Sequence, residues 1–229
     1  MENFERKLEI TGTAFSFFLL ILFVTWQEFN PRLLYILSKE DRLIESLSAI
    51  FFGLSSLCFF IVAYRSDFLQ QKSGPRYFMT LSWALLMFVF MGEEISWGQR
   101  IFGLTTPDAL REINLQGETN IHNIEFVDTF LGGKYRYLSV MMLTTGLLLP
   151  LFALSQTGKQ LLQRFAFPVS PLCLAPLFVG AYVYGKYYHP QMGNDASEVR
   201  EFLMSAGMLC FALAGAIYPC TLFRVCDDE

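Results

Sequence analysis

The sequence predicts an all-α, polytopic membrane helix bundle, and three observations carry that prediction. Of 229 residues, 53% are hydrophobic and only 17% are charged, where soluble domains hold about 25% charged residues. The mean hydropathy is +0.39. Six apolar stretches recur, at 12–29, 43–64, 78–97, 137–154, 168–188 and 199–223, each near the roughly 20 residues that cross a hydrocarbon core. They make one integral membrane domain, 1–229. A polar connection, 98–136, joins the third span to the fourth and is expected to hold a short interfacial or re-entrant helix.

The first span follows acids mixed with Arg6 and Lys7, and Trp26-Gln27-Glu28-Phe29 stands where a small-x-small cleavage site would be. It is therefore expected to persist as a helix rather than be removed as a signal peptide. The second span opens with Glu45, and a carboxylate in a first turn complements the positive end of the helix dipole. The third closes in Met91-Gly92-Glu93-Glu94-Ile95-Ser96-Trp97-Gly98-Gln99-Arg100. After it, Thr106-Pro107-Asp108 reads as a helix start, with Thr106 as cap and Pro107 at the first position. The fifth span ends at His189-Pro190, and the sixth opens with Val199-Arg200-Glu201. Asn30-Pro31 before Glu45 and His189-Pro190 before Glu201 form a faint repeat of the kind seen in transporters built of halves.

An even number of spans puts both termini on one side. Glu28, Glu45, Glu93, Glu94, His189, Glu198 and Glu201 then gather near the opposite face, with the connection 98–136. Lys and Arg in the short loops tilt the reading toward cytoplasmic termini.

An ionisable group at membrane depth costs roughly 2.5 kcal/mol or more and by default marks a pathway, a metal or a partnered site. In a helix Glu93 and Glu94 stand about 100° apart, so they cannot share one job. Glu93, Trp97 and Arg100 form one stripe, and Glu94 lies over Gly98, where the missing side chain admits a ligand or a neighbouring helix. Glu94 is therefore the expected ligand or base, Glu93 its orienting neighbour paired with Arg100, and Gln99 part of the same catalytic set. Arg100 could alternatively hold a phosphate.

In the connection, Asn114-Leu115-Gln116-Gly117-Glu118-Thr119-Asn120-Ile121-His122-Asn123 is dense in polar groups. If that piece is helical, Glu118 and His122 share a face. With Glu94 they form a candidate metal set, and carboxylates with a His suit Zn, Mn or Fe. Glu45, Gln116, Asn120, Asn123 and Glu201 are the candidate binding residues.

Several classes are excluded. The net charge of −4 and pI near 5.3 argue against nucleic acid as a partner, which needs a basic face. Of the five Cys, Cys58, Cys173, Cys210 and Cys220 fall inside apolar runs with no CxxC spacing and read as small buried hydrophobes rather than zinc ligands. GxSxG, HExxH, a P-loop and a dinucleotide-binding GxGxxG unit are absent.

The pattern GEEISWGQR followed by NxQxExNxHN, over Gly92 to Asn123, resembles a group of uncharacterised bacterial multi-pass membrane proteins. That resemblance implies a bacterial inner-membrane protein and carries no activity. The alkaline ceramidase and adiponectin-receptor group is similar in placing polar residues near one membrane face. Its three-histidine zinc site cannot be built from His122 and His189 alone, so nothing is carried over from it. The leading expectation is a metal-dependent hydrolase or transferase acting on a lipid-like substrate. A small ion- or proton-coupled transporter or channel, and a structural or sensory subunit binding a protein partner, are the alternatives.

Overall fold

Apolar sequence in long uninterrupted runs gives helices, because a backbone inside lipid must satisfy its own hydrogen bonds. The structure, a computed structural model, describes residues 2–38, 43–65, 74–115, 117–121, 124–131, 134–193 and 195–223. Among them the helices are α1 (Glu2–Phe29), α2 (Pro31–Ser38), α3 (Leu43–Arg65), α4 (Pro75–Glu94), α5 (Gln99–Phe102), α6 (Asp108–Arg111) and α7 (Glu125–Leu131). They continue as α8 (Lys134–Leu143), α9 (Leu149–Phe152), α10 (Gln156–Arg164), α11 (Ala175–Met192), α12 (Asp195–Ile217) and α13 (Cys220–Phe223). A lone antiparallel bridge, Asn114 to Ile124, is the β-type pairing seen among the described residues.

Among the described residues, three helices are long and apolar enough to cross a membrane, over Arg6–Phe29, Leu43–Tyr64 and Asp195–Ile217. They mark an integral membrane protein. Of the six expected spans these three are supported, and a fourth if Ser139–Phe152 and Gln156–Arg164, bent by 119°, make one broken span or re-entrant loop. At the third and fifth expected positions α4 and α11 do form, with 20 and 18 residues. Arg76, Glu93 and Glu94 in the one, and Lys186 and His189 in the other, dilute their apolar character.

The proposed repeat divides at its prolines. Pro31 opens α2, whereas Pro190 lies inside the last turn of α11. Between α8 and α9, residues Thr144–Leu148 form a π-helical turn. Pro150 follows, lacks the N–H that a continuing α-ladder would use, and sits next to the widened turn.

α12 is the central helix. Of its apolar window 72% is buried, against 17% for α1. Small residues on α12 let the neighbours close in: Gly207 sits where any Cβ would meet the Phe178 ring at 2.8 Å, the small-residue mode of membrane helix packing. α12 packs against α3 and α11, and α3 against α4. At the heart, Phe59, Trp83 and Phe211 from α3, α4 and α12 form a ring triangle with centroids 5.5 to 6.0 Å apart, and the Ser56 hydroxyl donates to the Ala84 carbonyl at 2.8 Å. The packing of α3 against both α4 and α12 brings the end of α4 near the start of α12.

Candidate functional site

α4 stops at Glu94, three residues before the expected end of the third span. The chain turns through consecutive left-handed residues, Ser96 (φ 45°), Trp97 (φ 52°) and Gly98 (φ 79°). Two of these are not glycine, and such backbone costs about 1–3 kcal/mol each unless its surroundings hold it. Gly92 and Glu93 supply the hold. A Cβ on Gly92 would fall 2.9 Å from the Trp97 ring, so glycine makes room for the indole. Glu93 accepts the indole N–H at 2.6 Å through Oε1 and the backbone N–H of Ile121 at 2.7 Å through Oε2. The side chain of Arg100, its expected partner, lies outside the described residues. Gly98 supplies a positive φ for the turn.

The connection is stapled to this turn by its polar side chains. The amide of Gln99 donates to Thr106 Oγ1 at 2.7 Å and its oxygen accepts from the Thr119 N–H at 2.7 Å. The Ser96 hydroxyl and the Asn120 amide both donate to Glu118 Oε2, at 2.7 and 2.8 Å. Asn114 donates to the Asn120 carbonyl at 2.8 Å and accepts from the Glu118 N–H at 3.1 Å.

Two local expectations are corrected here. Residues 117–119 form a bend rather than a helix, because Gly117 takes φ 69° and Asn114 closes the turn. Glu118 is thus not on a helix, and the face it was expected to share with His122 involves a residue outside the described ones. Thr106 spends its hydroxyl on Gln99 and does not cap α6, whose N-terminal neighbour is Pro107. Gln116, His122 and Asn123 lie outside the described residues.

Glu94 points elsewhere. Its carboxylate and those of Glu198 and Glu201, on the first two turns of α12, have oxygens within 4.8 Å of one another. Glu118, bonded to Ser96 and Asn120, is not in that group. Glu198 and Glu201 are three apart and so share one face of α12. Both are buried, at 7% and 3% exposure. Arg200, 2% exposed, brings its guanidinium within 3.6 Å of Glu201. Its stem runs across α11 at Gly185, where a Cβ would lie 2.8 Å from Arg200 Cδ.

Beside the acids is a cavity of about 710 Å³, walled by Glu45, Ser46, Ala49 and Ile50 of α3, Met91 and Glu94 of α4, and Ile95 and Ile101 beyond it. That volume falls in the usual range for a small-molecule pocket, roughly 300–1,000 Å³. Nearby, Tyr188 of α11 donates to Glu28 of α1 at 2.7 Å.

Of the residues singled out from sequence, Glu94, Glu201 and Glu45 thus lie at one place. Glu93, Gln99, Glu118 and Asn120 belong to the staple of the connection. Glu198 and Arg200 escaped the candidate set, although the spacing Glu198-x-x-Glu201 in the first turns of an apolar helix was the signal that could have found them. The chain matches no protein-family model, and neither a curated protein nor a solved structure matches it.

Proposed function

We propose that the protein is a membrane-embedded hydrolase or transferase that acts on a lipid-like substrate with a divalent cation held by Glu94, Glu198 and Glu201. In this reading it sits in a bacterial inner membrane with an even number of spans and both termini cytoplasmic. The observation that carries the proposal is the convergence of three carboxylates within 4.8 Å beside a largely apolar cavity. Like charges this close resist joint ionisation. Three carboxylates and Arg200 sum to a formal −2, which one divalent ion brings to zero. Ligands that are all oxygen favour a hard cation, Mn or Mg, over Zn or Fe.

When bound, such an ion supplies Lewis acidity toward a carbonyl or phosphoryl oxygen and lowers the pKa of a coordinated water. Around it, Arg200 positions Glu201, and Glu45, in the wall of the same cavity, is placed to take or give a proton to a substrate there. The hydroxyls of Ser55, Thr80 and Ser82 bond to carbonyls in their own helices, which weighs against an ion path toward the termini.

The test is metal binding by the purified, chelator-stripped full chain, titrated with Mn²⁺ and read by electron paramagnetic resonance. One tightly held ion per chain is expected, lost in Glu94→Gln, Glu198→Gln and Glu201→Gln while helical circular dichroism is kept. No stoichiometric ion in the wild type, or an ion retained in all three variants, overturns the cation site and leaves a buried polar network with a structural role.

A further inference from the structure

Two of the walls of the acid pocket are themselves exposed. Ile50 is 53% and Ile101 68% accessible, yet both line the cavity that contains Glu94. Ile50 belongs to a stripe on α3 with Leu54 and Leu57, 43% and 54% exposed, at the spacing of one helix face. On a helix that crosses a membrane, such a stripe faces lipid.

The other side of the opening has the same polarity. In the connection Thr106, Asn114 and Asn120 are buried, at 7%, 7% and 2% exposure, while the charged Asp108, Arg111 and Glu112 stay at the surface. Its large apolar ones are outside, with Leu104, Ile113, Leu115 and Ile121 at 51 to 62%. Four large apolar side chains exposed in so short a segment are the feature that marks an interaction surface. The hydrogen bonds of Gln99, Asn114 and Glu118 already satisfy the polar interior, so the segment can turn its apolar side outward at no hydrogen-bonding cost. The lipid-facing surface of α3 therefore continues across Ile50 and Ile101 onto the connection.

We propose that the pocket is a lateral portal, open to the bilayer between α3 and the Ile95–Phe102 segment, and that its occupant is the hydrocarbon tail of a membrane lipid. The tail lies against Ala49, Ile50, Met91 and Ile101, and the polar head reaches Glu94 and Glu45. This rests on the acid cluster being the reactive end of the site, and it narrows the substrate to an amphiphile drawn from the membrane itself. A water-soluble substrate would have to enter past apolar walls on both sides.

The full chain is reconstituted in phosphatidylcholine vesicles that carry a diazirine on the acyl chain, irradiated, and mapped by peptide mass spectrometry. Adducts are expected on Met91 and Ala49 inside the pocket as well as on Leu57 outside it. Ile101→Trp, a change at an exposed position, should reduce the Met91 adduct several-fold and leave the Leu57 adduct as it was. Adducts on Leu57 with none on Met91 or Ala49 overturn the portal, as does pocket labelling indifferent to Ile101→Trp. The measurement is made with chelator present and repeated in Glu201→Gln. Pocket labelling in a wild-type chain that holds no stoichiometric Mn²⁺ removes the cation reading alone, and ion binding without pocket labelling removes the portal alone.

Discussion

Glu93→Gln changes one oxygen to an amide nitrogen at a place where two donors converge. The carboxylate accepts from Trp97 Nε1 at 2.6 Å and from Ile121 N at 2.7 Å, and Glu93 is 9% exposed. Glutamine can keep its oxygen toward one donor, but its own N–H₂ then faces the other. One charge-assisted bond, about 1.5–3 kcal/mol, is lost, and a buried N–H is left against a donor, so the total is about 2–4 kcal/mol. At about 2–4 °C per kcal/mol for a chain of this size, the thermal midpoint in detergent should fall on the order of 5–15 °C. Circular dichroism reads the midpoint. Peptide hydrogen exchange over 117–121 should rise, because Ile121 N is the bond that fixes this stretch to α4. Trp97→Phe removes one of the two bonds, so the double variant should lose less than the sum, with a coupling of about 0.5–3 kcal/mol. An unchanged midpoint with unchanged exchange at 117–121 would refute the claim that Glu93 holds the left-handed turn.

Gly146→Ala should be severe, because its Cβ would fall 2.2 Å from Cγ of Phe178 in the core; overpacking of this kind costs about 1–3 kcal/mol, measurable as a lower midpoint that Phe178→Leu partly restores. Gly185→Val pushes a branched side chain into the seat of the Arg200 stem, 2.8 Å from a Cβ at that position. Because that stem is flexible, the fold should survive while Mn²⁺ affinity drops, and an unaltered affinity would show that Arg200 does not position Glu201.

The class of this protein was legible in composition, and three of the membrane-capable helices in hydropathy alone, because transfer to lipid depends on side chains summed along one segment and needs no partner. The separation of Glu93 from Glu94 also followed from local geometry, since adjacent residues on a helix point about 100° apart. Where each then pointed did not. Glu93 meets Trp97 and Ile121 because the helix breaks after Glu94, and that break depends on left-handed residues at Ser96 and Trp97 that local preference disfavours and the Glu93 bonds hold in place. The polar run from Asn114 to Asn120 looked like a ligand set in sequence; the structure spends Asn114, Glu118 and Asn120 on closing a bend. The meeting of Glu94 with Glu198 and Glu201 joins residues more than a hundred positions apart in the sequence. Only the packing of α3 against both α4 and α12 brings those helix ends together, so tertiary structure decided the site while sequence determined that such charges in so apolar a chain required one.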